Sequence, residues 1–365
     1  MITMNAFQRE PEALRAEEMR AALAVLESGW FILGERVRTF ESEWASRIGA
    51  KHTIGVGNGM DAIEIGLRCL DIGPGDEVIT TPMTAFATVL AIFRAGATPV
   101  LADIDPDTAL LDPQSVERCI SPKTRAVLLV HLYGQVREMN DWRKLASQER
   151  IHLLEDCAQS HLAMHDGACS GSIGTWGAFS FYPTKNLGAI GDAGALSTSD
   201  EKVAARARVL RNYGQSDRYR HPVLGLNSRL DELQAALLSV RLRKLDEFTQ
   251  RRQQIAEAYR AQLQNPKVRL LSDPQSRDSH VYHLFVICCN DRDRLASHMK
   301  TRGVETLIHY PVPVHLQPPC RDVRCDPSGL VEAERHAAVC LSIPCHPFLS
   351  DAEVSTIIEA VNDFR

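Results

Sequence analysis

Lys185 is the residue whose neighbours most clearly suggest chemistry. It lies between an aromatic, strand-like run, Ala178–Tyr182, and a segment rich in small residues, Gly188–Ala195. Small residues let the backbone approach a flat ligand closely. Apolar surroundings disfavour the ammonium form of a lysine, so its amine becomes a nucleophile for a carbonyl group. The segment therefore predicts Schiff-base chemistry at Lys185, against the alternative of an ordinary surface lysine on a loop.

A glycine turn at the start of a predicted helix is suited to a phosphate. The strand-like run HTIGVG is followed by Asn58, Gly59 and Met60, and a helical pattern begins at Asp61. A helix N-terminus presents unpaired N–H groups and the positive end of the helix dipole. The dinucleotide-binding spacing G-x-G-x-x-G would need a glycine in place of Met60. The turn is a candidate phosphate site, and a tight loop without a ligand is the alternative.

From Asp76 onward, strand-like runs with apolar side chains on both faces alternate with helical runs. This alternation predicts a parallel sheet covered by helices. Ligand sites in such folds lie at the carboxyl ends of the strands. The residues that fall at such ends are Asp103, Asp105, His131, Tyr133, Asp156 and Gln159. Capping of the following turns is the alternative role for most of them.

The length of 365 residues is sufficient for two domains. Ser228 and the residues after it are typical of a capping box that opens a long helix leading out of the first domain. Beyond that helix, HVYHLFVICC, RDRLASHMKTRG and ETLIHYP predict a strand, a helix and a strand, and a terminal helix follows. We therefore predict a large domain over residues 1–245, including an N-terminal helical segment, and a smaller C-terminal α/β domain over residues 246–365.

The composition excludes several classes of protein. Hydrophobic residues make up 44% of the chain and charged residues 24%, as in an ordinary globular protein. The net charge of −5 and the lack of a basic stripe argue against a nucleic-acid partner. The N-terminal segment is too charged for a signal peptide, and no apolar run is long enough to span a bilayer. We predict a cytoplasmic protein with no membrane partner and with reduced cysteines.

Several cysteines and histidines near the C-terminus are of residue types that can bind a metal. They are Cys320, Cys325, Cys340 and Cys345, with His315 and His346 nearby. Ligands of structural zinc usually lie outside such irregular, proline-rich surroundings. Buried, inert cysteine is the better interpretation, and no metal is predicted.

Three ordered motifs resemble one known family. LEDCAQSHLA, GAFSFYPTKNLGAIGDAGAL and GLNSRLDELQAAL look like segments of the DegT-type (DegT/DnrJ/StrS) sugar aminotransferases, and the resemblance extends over nearly the whole chain. It implies the α/β fold of aspartate aminotransferase (fold type I), in which a mostly parallel seven-stranded sheet lies between helices and a smaller C-terminal α/β domain follows. It also implies pyridoxal phosphate as cofactor and transamination as the reaction.

The resemblance assigns roles to three residues around the cofactor ring. Lys185 would join the cofactor aldehyde, and its freed amine would move the proton between substrate and cofactor. Asp156 would pair with the pyridinium nitrogen and keep it protonated, so that the ring can accept electrons. Gln159 would hydrogen-bond the phenolic oxygen of the ring.

The resemblance also assigns the phosphate contacts and the assembly. Ser180 would hold the phosphate together with the amides of Gly59 and Met60. In this family, the residue matching Asn227 reaches the phosphate of the neighbouring subunit. The resemblance therefore implies a homodimer whose active sites are shared between the subunits.

The position of the aromatic ring that would stack on the cofactor departs from the family pattern. Many family members have an aromatic residue directly after the threonine that matches Thr84, but here that place is Ala85 and the ring is Phe86. In a strand, neighbouring side chains point to opposite faces. Phe86 would therefore stack only if the backbone is locally irregular.

The substrate segments resemble those of enzymes that act on dTDP-linked 3-keto-6-deoxyhexoses or on similar 3-keto UDP-sugars. L-glutamate is the expected amino donor. The resemblance places Tyr182 near the hexose and His309, Tyr310 and His315 near the sugar or the pyrophosphate, with a structural role at a domain interface as the alternative. Two other functions stay open: an aminotransferase for a UDP- or GDP-linked 3- or 4-keto-sugar or a keto-cyclitol, and a regulatory binding protein without turnover.

Overall fold

Thirteen strands are present in the structure, a computed structural model that describes residues 1–365. In chain order they are β1 (His52–Val56), β2 (Glu77–Thr80), β3 (Thr98–Leu101), β4 (Thr124–Val130), β5 (His152–Asp156), β6 (Met164–His165), β7 (Ala168–Cys169), β8 (Trp176–Ser180), β9 (Gly194–Thr198), β10 (Val268–Leu270), β11 (Phe285–Cys289), β12 (Arg324–Cys325) and β13 (Cys340–Ile343). The strands from β1 to β5 alternate with α-helices, which confirms the alternation predicted from Asp76 onward, whereas β8 and β9 follow each other without a helix between them.

Twelve α-helices accompany these strands. They are α1 (Glu12–Ser28), α2 (Glu35–Ile48), α3 (Gly59–Cys69), α4 (Phe86–Arg94), α5 (Pro113–Cys119), α6 (Met139–Glu149), α7 (Glu201–Leu210), α8 (Glu232–Leu242), α9 (Leu245–Gln262), α10 (Arg292–Thr301), α11 (Val331–Val339) and α12 (Asp351–Asn362). None of them combines the length and the apolar composition needed to cross a bilayer.

The central sheet has the strand order β1-β9-β8-β5-β4-β2-β3-β12. Neighbouring strands are parallel except around β9, which runs antiparallel to both β1 and β8. Seven strands of this sheet come from residues 52–198, and they form the mostly parallel sheet that the resemblance implies. The eighth strand, β12, has two residues and comes from the C-terminal part of the chain, where it pairs with β3. So short a strand leaves no pattern that sequence reasoning can detect.

The C-terminal part of the chain has its own three-stranded antiparallel sheet, in the order β10-β11-β13. The predicted strand in HVYHLFVICC is β11. The predicted strand in ETLIHYP is wrong, because this segment makes a single antiparallel bridge, between Leu307 and Ser342. The backbone carbonyl of His309 accepts the Tyr133 hydroxyl instead of a strand neighbour.

The long helix predicted after Ser228 is two helices, α8 and α9, separated by Arg243 and Lys244. Ser228 does not cap α8, since the helix begins at Glu232 and its N-cap residue, Asp231, has no side-chain capping bond. The Ser228 hydroxyl instead accepts the N–H of Gly57 at 3.0 Å. The division of the chain at residue 245 stays a prediction.

The main apolar core lies between the central sheet and helices α3, α4 and α7. Trp176 on β8 is fully buried there, and it packs so closely on α3 that a Cβ atom at Gly66 would lie 2.5 Å from its ring. A second core lies between the C-terminal sheet and α9, α10 and α12. The first of these cores fixes β5 and β8, the strands that end in Asp156 and Ser180, relative to α3.

Candidate active site

Two neighbouring parallel strands end side by side with polar residues. Asp156 is the last residue of β5 and Ser180 the last residue of β8, and Asp156 is in register with Ala178. The carboxyl ends of parallel strands meet at the same edge of a sheet, where α/β folds bind their ligands. The structure therefore brings these two predicted site residues to one edge.

The Asp156 carboxylate is buried and held by two hydrogen bonds. Its Oδ2 accepts the Thr88 hydroxyl at 2.8 Å, and its Oδ1 accepts the N–H of Ala158 at 3.1 Å. Burial raises the pKa of Asp156, while these hydrogen bonds and the charges of Lys185 and His131 act in the opposite direction. A carboxylate in these surroundings attracts a positively charged partner.

The Lys185 turn is fixed by hydrogen bonds on both sides. The Lys185 N–H donates to the Tyr182 carbonyl at 2.8 Å, and the Leu187 N–H donates to His161 Nδ1 at 3.1 Å. Burial lowers the pKa of the Lys185 amine to about 8, against a smaller opposing effect of the Asp156 charge. Relative to a lysine of ordinary pKa, 10.5, this gives roughly 300-fold more neutral amine at pH 7.

The N-terminus of α3 lies against Ser180. A Cβ atom at Gly59 would lie 2.8 Å from the Ser180 Cβ, so only glycine permits this approach. The Asn58 side chain caps the helix by accepting the Asp61 N–H at 2.9 Å. The N–H groups of Gly59 and Met60 have no acceptor in the protein. Two free amides and a serine hydroxyl thus converge where a phosphate would be stabilised.

Gln159 is held between two tyrosines. Its Oε1 accepts the N–H of Tyr133 at 2.6 Å, and its Nε2 donates to the Tyr310 hydroxyl at 3.2 Å. Burial, followed by the Asp156 charge, raises the pKa of Tyr310 to about 12. The Tyr133 hydroxyl donates to the His309 carbonyl at 2.6 Å. Tyr310 and His309 from the C-terminal part therefore lie at the edge that carries Asp156 and Gln159.

The side chains of four other predicted residues make no hydrogen bond with this cluster. The His315 Nε2 atom instead lies within hydrogen-bond distance of the Glu334 carboxylate on α11, at 3.1 Å. Asn227 is exposed, and Tyr182 has 51% of its surface exposed. Phe86 is the first residue of α4, so the backbone here is a helix start and not the strand assumed from the sequence.

Comparison with known proteins identifies the relatives of this chain. A sequence model of the DegT/DnrJ/EryC1/StrS aminotransferase family matches residues 12–362. The chain belongs to this family. The match confirms the resemblance seen in the three motifs, and with it the aminotransferase class predicted for the chain.

Individual relatives of the DegT/DnrJ/EryC1/StrS family agree with this placement. The dTDP-3-amino-3,4,6-trideoxy-alpha-D-glucose transaminase of Streptomyces venezuelae is 44% identical over 354 residues, which are 97% of this chain and 93% of that protein. A protein of Geobacillus stearothermophilus named pleiotropic regulatory protein is 42% identical over 365 residues, which are 100% of this chain and 98% of that protein. The crystal structure of S. venezuelae DesV in complex with a ketimine intermediate superposes with a TM-score of 0.93 at 44% identity, covering 96% of this chain and 95% of that chain. The superposition confirms the predicted fold.

The site of this DegT/DnrJ/EryC1/StrS family member contains residues that sequence reasoning did not find. Thr88 and His283 belong to this group, and no signal in the sequence indicates either of them, whereas Tyr133 is predicted from its place at a strand end. His131, Glu155 and Cys157 bring ligand atoms within 4.8 Å of one another. The Glu155 oxygens already accept three backbone N–H groups, at 2.7 to 3.0 Å. Glu155 therefore stabilises the turn that follows β7, by accepting N–H groups of its backbone.

Proposed function

We propose that this chain transfers an amino group from L-glutamate to the C3 position of a dTDP-linked 3-keto-6-deoxyhexose, with pyridoxal phosphate as cofactor. The observation that carries the proposal is the partly buried Lys185 amine with a pKa of about 8, at a sheet edge that also holds a buried carboxylate. Pyridoxal phosphate, when bound, supplies an aldehyde that joins a lysine amine and a ring that accepts electrons from the substrate carbon.

The residues present fit this cofactor at three separate points. Lys185 supplies the amine and Asp156 the buried carboxylate that a pyridinium nitrogen requires. The unpaired amides at the start of α3 and the Ser180 hydroxyl supply donors for a phosphate. A loop lysine, a capping aspartate and a tight turn would each be ordinary alone, but the fold places all three at one edge of the sheet.

Lys185 carries the proton in the proposed reaction. Once the amino donor has taken its place on the cofactor, the Lys185 amine would be free to take a proton from the α-carbon of the donor and to deliver it to the cofactor carbon bonded to the amino nitrogen. A pKa near 8 suits both directions, because an acid–base group works best when its pKa is close to the working pH.

Gln159 and Tyr310 orient the ring. Because the Gln159 Oε1 accepts the Tyr133 N–H, its amide nitrogen must point into the site. That nitrogen has two hydrogens, and the Tyr310 hydroxyl takes one of them. The second hydrogen is available for the phenolic oxygen of the cofactor.

A homodimer would cover large apolar side chains exposed around the start of α8, where the Phe31 carbonyl accepts the Glu232 N–H and the Ile190 N–H donates to Gln234. Large side chains are exposed at Trp30, Phe31, Ile190 and Leu224, with exposed fractions of 62%, 52%, 59% and 90%. Exposed apolar residues in such number are typical of a surface that another protein covers. Asn227 lies three residues after Leu224 and is also exposed, which suits a contact with the phosphate of the neighbouring subunit.

The acceptor is proposed from the relatives and from the position of two residues. The S. venezuelae relative is named for a sugar aminated at C3 and linked to dTDP. His309 and Tyr310 lie beside the proposed cofactor position, where a keto-sugar must bind to receive the amine. His315 is the weakest of the predicted substrate contacts, because it pairs with Glu334. A UDP- or GDP-linked keto-sugar or a keto-cyclitol is the alternative acceptor.

The acceptor is tested by product analysis. Cofactor-loaded protein and L-glutamate are incubated separately with a dTDP-3-keto-6-deoxyhexose, with its 4-keto isomer and with a 3-keto UDP-sugar, and each product is examined by mass spectrometry and NMR. We expect a 3-amino sugar from the dTDP-linked 3-keto compound at the highest rate. An amine at C4, or faster conversion of the UDP-sugar, would replace the proposed acceptor by the alternative.

A regulatory role without turnover is the second candidate, because the Geobacillus relative is named as a regulatory protein. The intact Lys185, Asp156 and Gln159 argue against it, since a pure binding role does not require these groups. Purified protein that is colourless after treatment with pyridoxal phosphate would favour this candidate.

A further inference from the structure

A small cavity beside the Lys185 loop has polar walls that the proposed cofactor contacts do not use. Its volume is about 90 Å³, and its polar lining comes from Asn5, Thr184, His283 and His309. Thr184 directly precedes Lys185 in the chain. The volume is far below the roughly 300–1,000 Å³ of pockets that bury a drug-sized ligand. The cavity therefore suits a small group and not a nucleotide sugar.

A buried positive charge without a counter-ion lies behind the wall of this cavity, in contact with two of the lining residues. The Arg252 side chain is 6% exposed and donates to the carbonyl oxygens of Tyr282, His283 and Cys345. His283 and Cys345 both line the cavity. No carboxylate forms an ion pair with Arg252, although an isolated buried charge is costly. An anion in the cavity would offset this cost.

Two imidazoles face the cavity and the Lys185 charge. The Nδ1 atom of His283 is buried and has no hydrogen-bond partner. The His309 ring is fixed by a hydrogen bond of 2.8 Å between its Nδ1 and the Ser342 hydroxyl. Burial, followed by the positive charge of Lys185, lowers the pKa of His283 well below its ordinary value and that of His309 to about 4.

The N-terminal segment completes the cavity. Ile2 bridges to Val304, and the Met4 N–H donates to the Glu305 carboxylate at 2.7 Å. These contacts hold the segment against the C-terminal part of the chain. Asn5 thereby lines the cavity, and an asparagine amide can donate to an anion.

We propose that this cavity binds the α-carboxylate of the amino-acid donor, through His283, Asn5 and Thr184. The inference rests on the proposed function and names the donor site within it. The α-carboxylate is bonded to the carbon that carries the amino group, so a carboxylate beside Thr184 leaves that carbon within reach of the Lys185 amine. The positive charges of Arg252 and Lys185 favour an anion at this place.

The test measures how much L-glutamate is needed to half-bleach the visible band of the lysine-linked cofactor. Loss of a hydrogen bond to a charged group should raise this concentration roughly 10–100-fold in His283→Leu, which leaves no donor at the place of Nδ1. Asn5→Ala, on a peripheral segment, should raise it roughly 3–10-fold. His346→Leu is the matched control, because His346 is buried, has an unpartnered Nε2 atom and does not line the cavity. We expect the wild-type value in this control.

Two further arms identify which carboxylate is bound and provide a readout without turnover. If the cavity takes the α-carboxylate, His283→Leu weakens the binding of L-glutamate and of L-glutamine equally. Weaker binding of L-glutamate alone would assign the cavity to the side-chain carboxylate and overturn the proposal. Glutarate, which lacks an amine, should raise the melting temperature of the loaded wild type more than that of His283→Leu.

The failure of this inference differs from the failure of the proposed function. A visible band that bleaches at the wild-type L-glutamate concentration in both His283→Leu and Asn5→Ala overturns the donor site and leaves the function intact. Wild-type protein without a visible band overturns both.

Discussion

Replacing Lys185 by methionine is expected to abolish amino transfer, with a rate at least roughly 10⁴-fold below that of the wild type. The substitution removes both the nucleophile for the cofactor aldehyde and the group that moves the proton. Methionine keeps the length and apolar character of the side chain, so the turn held by Tyr182 and His161 should survive. The measurement is the absorption spectrum with pyridoxal phosphate, followed by the transfer rate.

The control for this variant is Lys202→Met, which changes an exposed lysine on α7. It should retain the visible band and the wild-type rate. A Lys185→Met protein that still forms the lysine-linked band would show that another lysine binds the cofactor.

The Lys185 amine also makes the rate of cofactor association depend on pH. Only the neutral amine attacks the aldehyde, and the neutral form increases as the pH rises towards the amine pKa of about 8. The rate of cofactor association with cofactor-free protein should therefore rise about tenfold per pH unit below pH 8 and level off above it. Stopped-flow absorption measures this rate. A rate that still rises tenfold between pH 9 and pH 10 would indicate a lysine of ordinary pKa.

Replacing Asp156 by asparagine is expected to have the second largest effect. Asparagine preserves the size of the side chain and an oxygen for Thr88, but it removes the charge that would pair with a pyridinium nitrogen. Breaking one partner of a buried ion pair typically costs about 3–5 kcal/mol, which corresponds to a rate loss of roughly 10²–10⁴-fold. The visible band should still form, because Lys185 is unchanged, and its bleaching by L-glutamate should slow by that factor.

Thr88→Val provides a graded comparison for Asp156. It removes one hydrogen bond to the carboxylate and leaves the charge, so we expect a loss of about tenfold. Asp141→Asn on the surface of α6 is the control for the change of charge and should have no effect. An Asp156→Asn protein with the wild-type bleaching rate would contradict the assigned role of this carboxylate.

The part of the site that lies at strand ends could be predicted from the sequence. Lys185 and Asp156 come at the ends of strand-like runs, and the carboxyl ends of parallel strands meet at one edge, whereas Ser180 was assigned from the family resemblance. The start of α3 was visible as a strand, a glycine turn and a helical pattern. These predictions needed only short-range patterns and the rule that places sites in α/β folds.

The contacts that join distant segments could not be predicted in this way. Thr88 reaches Asp156 across 68 positions of the chain, and Ser228 reaches Gly57 across 171. The Ser228 segment has the pattern of a capping box, but a contact in the folded chain uses its hydroxyl. His283 and Asn5 meet because the N-terminal segment packs on the C-terminal sheet, and no local pattern indicates this.

The most direct test of the central claim is the absorption spectrum of the purified protein with pyridoxal phosphate, recorded first alone, then with L-glutamate and finally with the dTDP-linked 3-keto-6-deoxyhexose. We predict a visible band from the cofactor joined to Lys185, bleaching by L-glutamate as the amine moves to the cofactor, and return of the band when the keto-sugar takes the amine. A band that persists with L-glutamate and with every other amino acid tested would contradict amino transfer by this chain.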